Sequence, residues 1–342
     1  MFQRQRSRRP VVVAVVLTVL LVLAAIGSLA AGAEALPVAS VVDALTGRRH
    51  GPIATIVWEL RLPRTLLAML VGAGLAVAGA AVQTLVRNPL AEPYLLGVSY
   101  GASVGATAVI TTGALAAAGT WALFSGAFLG ALGAGVLVGA IAVAQGGLTP
   151  IRLILTGTVL GSAFSALASW LVFRAGDPAA AQSVLFWLLG SLAGAQWSVL
   201  PVPLVTVALV VGLLLAFSGW LDALAAGPDT AAGLGVPVRE ARIALFVLCA
   251  CTVGALVAVA GAVGFVGLIV PHLARMVVGS RHRVLLPVTA LAGALFLVLV
   301  DAVCRVAVRP VEMPLSVLTG LVGAPVFLLL MGRRRYRYGG TT

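Results

Sequence analysis

The sequence predicts an all-α polytopic membrane protein, because it is too apolar and too poor in charge to fold in water. Of its 342 residues, 61% are hydrophobic and only 9% are charged, whereas a soluble domain averages about a quarter charged residues. Runs of about 20 apolar residues, the length that crosses the hydrocarbon core of a bilayer, can be placed ten times. These observations predict one transmembrane domain over residues 1–342.

The ten predicted spans cover most of the chain. The first of them exceeds the apolar core of a signal peptide and is predicted to be an uncleaved helix. Two other pieces, 37–60 and 179–191, are too short or too polar to span, and we predict short helices at the outer interface. The predicted spans are 10–31, 63–84, 93–113, 118–143, 151–173, 197–218, 242–262, 264–280, 284–306 and 313–332.

The arginines predict the orientation. All 22 basic residues are arginine; cytoplasmic loops carry an excess of basic residues, and we expect both termini in the cytoplasm. This placement accounts for the net charge of +12 without nucleic acid. The predicted inner set is Arg4, Arg6, Arg8, Arg9, Arg87, Arg152, Arg239, Arg242, Arg275, Arg281, Arg283, Arg333, Arg334, Arg335 and Arg337. The predicted outer set is Arg48, Arg49, Arg61, Arg64, Arg174, Arg305 and Arg309.

The residue inventory excludes several kinds of catalysis. Without lysine, the chain can form neither a P-loop nor a Schiff base. Its three cysteines lie in apolar runs without metal-ligand spacing, so we expect buried thiols and no metal site. No catalytic residue and no cofactor are predicted. The cysteines are Cys249, Cys251 and Cys304.

The three histidines do not form a metal cluster. His272 lies near the inner end of a predicted helix, and we expect a structural residue there, with a heme ligand as the alternative. His50 and His282 are expected to face solvent in loops.

A repeated segment predicts internal symmetry. "GAGLAVAGA" at 72–80 returns as "GALVAVAGA" at 254–262, with seven of nine positions identical. The copies lie five spans apart, so they cross the membrane in opposite directions, as in an inverted five-helix repeat. Small-xxx-small packing that recurs by chance is the alternative. In either case Gly72, Gly79, Gly254 and Gly261 are expected to serve close helix packing.

Five long motifs carry a family resemblance. They are "LRLPRTLLAMLVGAGLAVAGAAVQTLVRNPLAEPYLLGVSYGAS" (60–103), "FWLLGSLAGAQW" (186–197), "LGVPVREAR" (234–242), "GFVGLIVPHLARMVVGSRHRVLLP" (264–287) and "TGLVGAPVFLLL" (319–330). The chain resembles the permeases of bacterial ABC importers for iron–siderophore, heme and cobalamin, the FecCD-like family. This resemblance implies ten helices, a second permease subunit, two cytoplasmic ATPase subunits that use ATP-Mg, an extracytoplasmic substrate-binding protein and a bacterial inner membrane. We assume a homodimer, with a heterodimer as the alternative.

The resemblance implies that three outer arginines, Arg61, Arg64 and Arg305, dock glutamates of the binding protein. Guanidinium groups bind carboxylates in a bidentate manner, and complementary charge speeds encounter. The alternative is local pairing, since Asp301 and Arg305 are spaced i,i+4 on one helix and Glu59 neighbours Arg61. Arg174 and Arg309 lack motif support and are expected to face solvent or headgroups.

The segment 219–241 is the one sizeable polar interruption on the cytoplasmic side, and the resemblance implies an ATPase-coupling element. Gly227-Pro228 is expected to break one helix, Asp229 to cap the next, and Gly235 with Pro237 to end it. An ordinary loop is the alternative. The expected contact residues are Asp229, Ala231, Leu234 and Gly235.

The resemblance also places a cytoplasmic gate at the inner ends of two helices, in "RNPLAEP" (87–93) and "GLTP" (147–150). Helix capping by Asn88 and Thr149 is the alternative, and Pro150 departs from the small polar residue expected there. The gate residues are Asn88, Leu90, Thr149 and Pro150.

The expected function is ATP-driven import of a bulky iron chelate by alternating access. Ferric siderophore is the first expectation for the cargo, followed by heme and cobalamin. The alternative is an ion-coupled secondary transporter, which usually keeps ionisable groups near the bilayer midplane. Glu59, Asp301 and Glu312 fall near helix ends, which argues against ion coupling.

Overall fold

The computed structural model describes residues 2–32, 34–48 and 50–332, and within them the chain forms helices and connections without a strand. The all-α fold class is confirmed. Some residues of the orientation prediction lie outside the described part: Arg49, Arg333, Arg334, Arg335 and Arg337, together with the side chains of Arg4, Arg6 and Arg8.

Fifteen α-helices make up the described part of the chain. A π-helical turn, Ile56–Arg61, precedes the fourth helix, and 3-10 turns occupy Pro93–Leu96 and Ala116–Trp121. The helices are α1 Phe2–Ala30, α2 Val38–Leu45, α3 Pro52–Thr55, α4 Leu62–Leu85, α5 Val98–Thr112, α6 Ala122–Ala144, α7 Pro150–Ala175, α8 Pro178–Leu189, α9 Pro201–Ala216, α10 Ser218–Ala226, α11 Pro228–Gly233, α12 Val238–Ala260, α13 Val266–Val278, α14 His282–Cys304 and α15 Leu315–Gly332.

The ten predicted spans correspond to ten stretches of helix, but not all of them are full-length spans. Six helical segments among the described residues are long and apolar enough to cross a membrane, and α9 with α10, bent by 66°, makes a seventh. Helices α5 and α13 have only 15 and 13 residues. Short helices and irregular backbone at membrane depth are tolerated where the protein itself covers them.

The connection before α13 explains why that helix is short. Gly261 ends α12 with a φ of 69°, and Phe265 also has a positive φ, 68°. Tyr94 Oη donates to Val263 O at 2.8 Å, and Phe265 N donates to Glu92 Oε1 at 2.7 Å. These bonds satisfy backbone groups that a continuous helix would have paired internally.

The predicted interfacial pieces are short helices, with one difference from expectation. Residues 37–60 contain α2 and α3, but the chain from Pro52 onward continues through the π-helical turn into α4 without a break, as one 34-residue helix. Helix α8 occupies most of 179–191 as predicted. Arg61 therefore lies within a continuous helix and not in a connection.

The contacts of the repeated segment follow the expected inverted symmetry. Helices α4 and α12 are antiparallel, since Gly74 faces Leu256 while Ala78 faces Cys249 one turn later. In the first copy Gly72 faces Gly293 of α14. In the second copy Gly254 faces Ala131 of α6, the helix that takes the place of α14 in the other half.

The glycines of α4 allow close backbone approach to its neighbours. A Cβ at Gly72 would lie 2.2 Å from Gly293 O, and one at Gly79 would lie 1.9 Å from Gly267 O. Because both obstacles are backbone atoms, no side-chain rotation could relieve the overlap. Most of α4 is buried inside the protein, under α9, α12, α13 and α14.

We predict that Gly79→Ala destabilises the protein by about 1–3 kcal/mol, the usual range for overpacking a well-packed core. Thermal unfolding of the detergent-solubilised protein measures the change as a lower midpoint. Gly212→Ala is the matched control, because a Cβ at Gly212 of α9 meets nothing within 4 Å. Equal midpoints for the two variants would contradict the packing role.

Candidate functional site

One end of the bundle, which is predicted to face outward and is called the outer end below, holds a cluster of buried arginines at the C-terminus of α1. Arg61 Nη1 donates to Leu29 O at 2.8 Å and to Ala30 O at 2.9 Å. Arg305 Nη1 donates to Ala31 O at 2.9 Å. The last carbonyls of a helix have no partner within the helix and carry partial negative charge. Two arginines from distant parts of the chain therefore cap α1.

Arg64 belongs to the same cluster but binds carboxylates. Its Nε donates to Asp301 Oδ1 at 2.9 Å, and its Nη1 and Nη2 lie 2.9 Å from the two oxygens of Glu312. Asp301 is fully buried, whereas the Glu312 side chain is 43% exposed. The Arg64 guanidinium thus has one buried partner, Asp301, and one partner at the surface, Glu312. The pairing with Glu312 is bidentate, which suits guanidinium geometry.

The structure brings the three predicted docking arginines together and gives each an internal partner. The i,i+4 pair of Arg305 and Asp301 exists, with Nε 3.1 Å from Oδ2. The alternative partner proposed for Arg61, Glu59, forms no ion pair among the described residues, and Arg61 binds carbonyls instead. Only 9% of Arg61 and 6% of Arg305 is exposed, so docking remains a prediction.

The two outer arginines that lack motif support are exposed, as expected. Arg174 and Arg309 are exposed, and the Arg174 guanidinium lies 5.4 Å from the ring centroid of Trp170, in cation–π contact.

The polar segment 219–241 folds as a short helix between two breaks. It lies at the other end of the bundle, which is predicted to face the cytoplasm and is called the inner end below. Gly227, with a φ of 123°, ends α10, and α11 begins at Pro228. The predicted cap is wrong: Gly227 is the N-cap, and Asp229 lies in the first turn of α11 without a side-chain capping bond. Its charge still favours the positive end of the helix. Gly235, with a φ of 79°, follows the helix end as predicted.

The four expected contact residues of this segment differ in exposure. Ala231 is fully buried in a small core with Leu224 and Val236, so it packs the segment and does not present a contact surface. Asp229 and Gly235 are exposed, and Leu234 is 69% exposed. The contact role of these residues stays a prediction.

The residues predicted to form a gate lie on two separate connections at the inner end. Asn88 Oδ1 accepts a hydrogen bond from Leu90 N at 2.9 Å, which makes a turn directly after α4. Thr149 occupies the N-cap position of α7 but makes no side-chain cap bond, and Pro150 is the first helical residue. Neither side chain therefore caps a helix as the alternative expected, since Asn88 binds within a turn and Val86 is the C-cap of α4. The gate remains a prediction.

Thr149 faces a basic cavity of about 480 Å³ at the inner end. Arg239 and Arg242 from the start of α12 line it, with Leu148 and Ile243 as apolar neighbours. Thr149 therefore lies next to positive charge and open space.

One histidine prediction is wrong. His282 is 2% exposed and begins α14, where it binds Asp222 and Thr84. Sequence reasoning missed Asp222, Thr84 and Gln83 entirely, because each is an isolated polar residue without a motif. His50 is exposed as expected, and His272 is half-buried on α13.

The cysteines and acidic residues offer no metal site. Cys249 and Cys304 are buried as expected, and Cys251 is partly exposed. Over the described residues, no three His, Cys, Asp or Glu side chains come together in a way that could hold a metal ion.

One known protein family matches nearly all of the residues described above. The model of the FecCD transport family matches residues 19–333. The chain belongs to the FecCD transport family. The vitamin B12 import system permease protein BtuC of Salmonella paratyphi A is 41% identical over 332 residues, covering 96% of this chain and 98% of the relative. The cobalamin import system permease protein BtuC of Halobacterium salinarum is 42% identical over 282 residues, covering 82% and 74%.

A solved structure supports the same assignment. A metal-chelate type ABC transporter in an inward-facing conformation superposes with a TM-score of 0.82 at 35% identity, covering 95% of this chain and 100% of that chain. This FecCD-family chain is therefore a membrane-embedded permease subunit of an ABC transporter. It is not an enzyme, since ATP hydrolysis belongs to a separate subunit of such transporters.

We predict that Asp301→Asn destabilises this FecCD-family permease by about 3 kcal/mol, because removing one member of a buried ion pair leaves its partners uncompensated. The partners are Arg64 and Arg305. Chemical unfolding in detergent measures the loss. Glu312→Gln is the control and should cost less than about 1 kcal/mol, as expected for an exposed pair. A smaller loss for Asp301→Asn than for Glu312→Gln would refute the assignment.

Proposed function

We propose that this permease imports a bulky metal chelate through a path between two copies of itself. The observation that carries the proposal is a row of hydroxyl groups on the exposed face of α7. Thr158, Ser162, Ser165 and Ser169 recur at helical spacing and are all exposed. Thr158 and Ser162 donate to carbonyls one turn earlier on α7, and hydroxyl oxygens that donate in this way can still accept from water or from a neighbouring helix.

The buried face of α7, about a quarter-turn from the hydroxyl row, supports the same arrangement. Gly157 and Gly161 pack there against Leu95 and the ring of Tyr100. Since α7 is anchored on that side, its hydroxyl face is left for a second permease subunit and the cargo. Uncharged hydroxyls can hydrogen-bond a polar chelate without holding it tightly, which suits a path that must release what it carries.

The family also supports the remaining partners. The proposed assembly contains two permease chains as a homodimer, two ATPase subunits that hydrolyse ATP-Mg, and an extracytoplasmic substrate-binding protein. Segment 219–241, which we call the coupling segment, is the proposed ATPase contact through Asp229, Leu234 and Gly235. Its exposed Leu234 supports this role. The proposed location is a bacterial inner membrane with both termini in the cytoplasm.

The names of the relatives change the order of the proposed cargoes. The two permeases described above import vitamin B12 or cobalamin by name, and the solved structure is of metal-chelate type. We therefore place cobalamin ahead of ferric siderophore and heme.

Uptake into proteoliposomes tests the function. The permease, its ATPase and its binding protein are reconstituted, and cobalamin, heme and a panel of ferric siderophores are offered with ATP or ADP inside. We expect ATP-dependent accumulation of cobalamin, because ATP binding can shift the transporter between states of different affinity. Accumulation of a ferric siderophore and of neither other cargo would overturn the proposal that cobalamin is the cargo. Uptake with ADP, driven by an ion gradient, would favour the ion-coupled alternative and overturn the mechanism.

Docking of the binding protein is proposed at Arg64, with Glu312 as the group that a docking carboxylate replaces. Arg61 and Arg305 cap α1 in the same cluster, so their reversal would disturb the fold as well as the surface. Arg64 can instead exchange one exposed carboxylate for another without leaving a buried group unpaired.

We predict that Glu312→Gln raises the association rate of the binding protein by about threefold at low salt, because rim charges act mainly on encounter. Surface plasmon resonance on the permease–ATPase complex measures the rate. Glu59→Gln is the matched control, since Glu59 is an exposed outer acid without an ion pair in the described structure. The same increase in both variants would indicate a general effect of charge and would contradict the proposal that a docking carboxylate replaces Glu312 at Arg64.

A further inference from the structure

A buried polar chain links three helices at the inner end of the bundle. His282, the first residue of α14, donates to Asp222 of α10 twice: its backbone N lies 2.9 Å and its Nδ1 2.6 Å from Asp222 Oδ1. Asp222 thereby caps α14 from another helix and places negative charge at its positive end. The Asp222 side chain is 41% exposed, whereas His282 is buried.

The other side of the imidazole ring reaches α4. His282 Nε2 lies 2.8 Å from Thr84 Oγ1, and the same hydroxyl lies 3.0 Å from Ala80 O. A threonine hydroxyl has one hydrogen. If it donates to Ala80 O, His282 Nε2 must donate to Thr84, and because Nδ1 also donates to Asp222 the ring is then an imidazolium cation. If the hydroxyl turns to Nε2 of the neutral ring, only the bond to Ala80 O is lost. In both arrangements the chain from Asp222 through His282 to Thr84 stays continuous.

The neighbouring residue extends the connection to the chain after α4. Gln83 Nε2 donates to Leu268 O at 3.1 Å and to Ala91 O at 3.4 Å, while its Oε1 accepts from Arg275 Nη1 at 2.8 Å. Residues 86–97, which we call the gate connection, carry Asn88 and Leu90. Two adjacent side chains at the end of α4 thus bind α13, α14 and the gate connection.

Asp222, the half-exposed end of this hydrogen-bonded chain, lies near the start of the coupling segment. Asp222 is on α10, one turn before the break at Gly227, and α11 packs back on α10 through Leu224 and Ala231. A displacement of α11 would therefore move Asp222 with it. Hydrogen bonds have direction, so such a chain transmits a displacement that sliding apolar contacts would absorb.

We propose that Asp222, His282 and Thr84 are positioning residues that transmit movement of the coupling segment to the inner end of α4 and the gate connection. The proposal rests on the proposed function, since it concerns how ATP hydrolysis in a partner opens this permease. None of the three is a predicted gate residue or a proposed ATPase contact residue, although Asp222 lies within the coupling segment. Their role is to make transport follow hydrolysis.

The test measures chelate uptake and ATP hydrolysis in the same proteoliposomes, with the complete complex. Thr84→Val removes the hydroxyl at nearly constant shape, and Asp222→Ala removes the half-exposed end of the chain. We expect each variant to hydrolyse ATP within about twofold of wild type but to import about fivefold less chelate per ATP, the low end of typical coupling. The double variant should be no worse than either single variant, because one broken link already interrupts the chain.

Two further variants separate this role from a merely structural one. Thr84→Ser keeps the hydroxyl and should restore the ratio of uptake to hydrolysis. Thr252→Val is the matched control, since Thr252 is a buried threonine of α12 whose hydroxyl bonds only its own helix, at Leu248 O. That variant should keep the wild-type ratio even if its thermal stability falls.

The outcomes distinguish the two proposals. A wild-type complex that takes up no chelate with ATP overturns the proposed function and, with it, this coupling. Wild-type transport with an unchanged ratio in both Thr84→Val and Asp222→Ala overturns the coupling role alone. An equal fall in Thr252→Val, or no recovery in Thr84→Ser, also overturns it.

Discussion

The close approach of backbones along α4 is the constraint on which the other parts of the structure depend. Helices α9, α12, α13 and α14 pack against α4, and two of them, α14 and α13, contact it at Gly72 and Gly79, where no Cβ would fit. In a membrane the helices gain little from excluding water, so packing at small residues holds them together. The outer arginine cluster begins just before this helix, and the gate connection follows it. Both sites therefore depend on where α4 lies.

Much of the fold was predictable because it depends on local composition. Apolar runs gave the approximate position of each long helix, and the repeat at 72–80 and 254–262 indicated two antiparallel copies. The short helix α13 was not predictable as such. A short helix covered by protein and a full span have the same hydropathy, and the difference arises from Tyr94 and Glu92, which bind the connection before α13 from about 170 positions away.

The position of the arginine cluster was predictable from the sequence, but the hydrogen-bond partners of its arginines were not. Motif resemblance identified Arg61, Arg64 and Arg305, which the structure places in one cluster. Their partners lie 31 to 274 positions away in most cases, and no local pattern predicts carbonyls as ligands. The prediction that His282 faces solvent failed for the same reason. Its neighbours Arg281 and Arg283 suggest a solvated loop, but Asp222, 60 positions earlier, binds it and draws it into the interior.

The three arginines are not equivalent as docking residues, because they differ in which groups would lose a hydrogen-bond partner if the arginine bound a docking carboxylate. If Arg61 or Arg305 turned outward, carbonyls at the end of α1 would lose a donor in a buried setting, which is costly. Arg64 need not turn: it can keep its bond to Asp301 and give up only Glu312, which is already half-exposed and can be hydrated. A docking carboxylate would therefore engage Arg64 first. Because Arg64 also binds Asp301, and Asp301 binds Arg305, that exchange would be felt at the end of α1 without uncovering it.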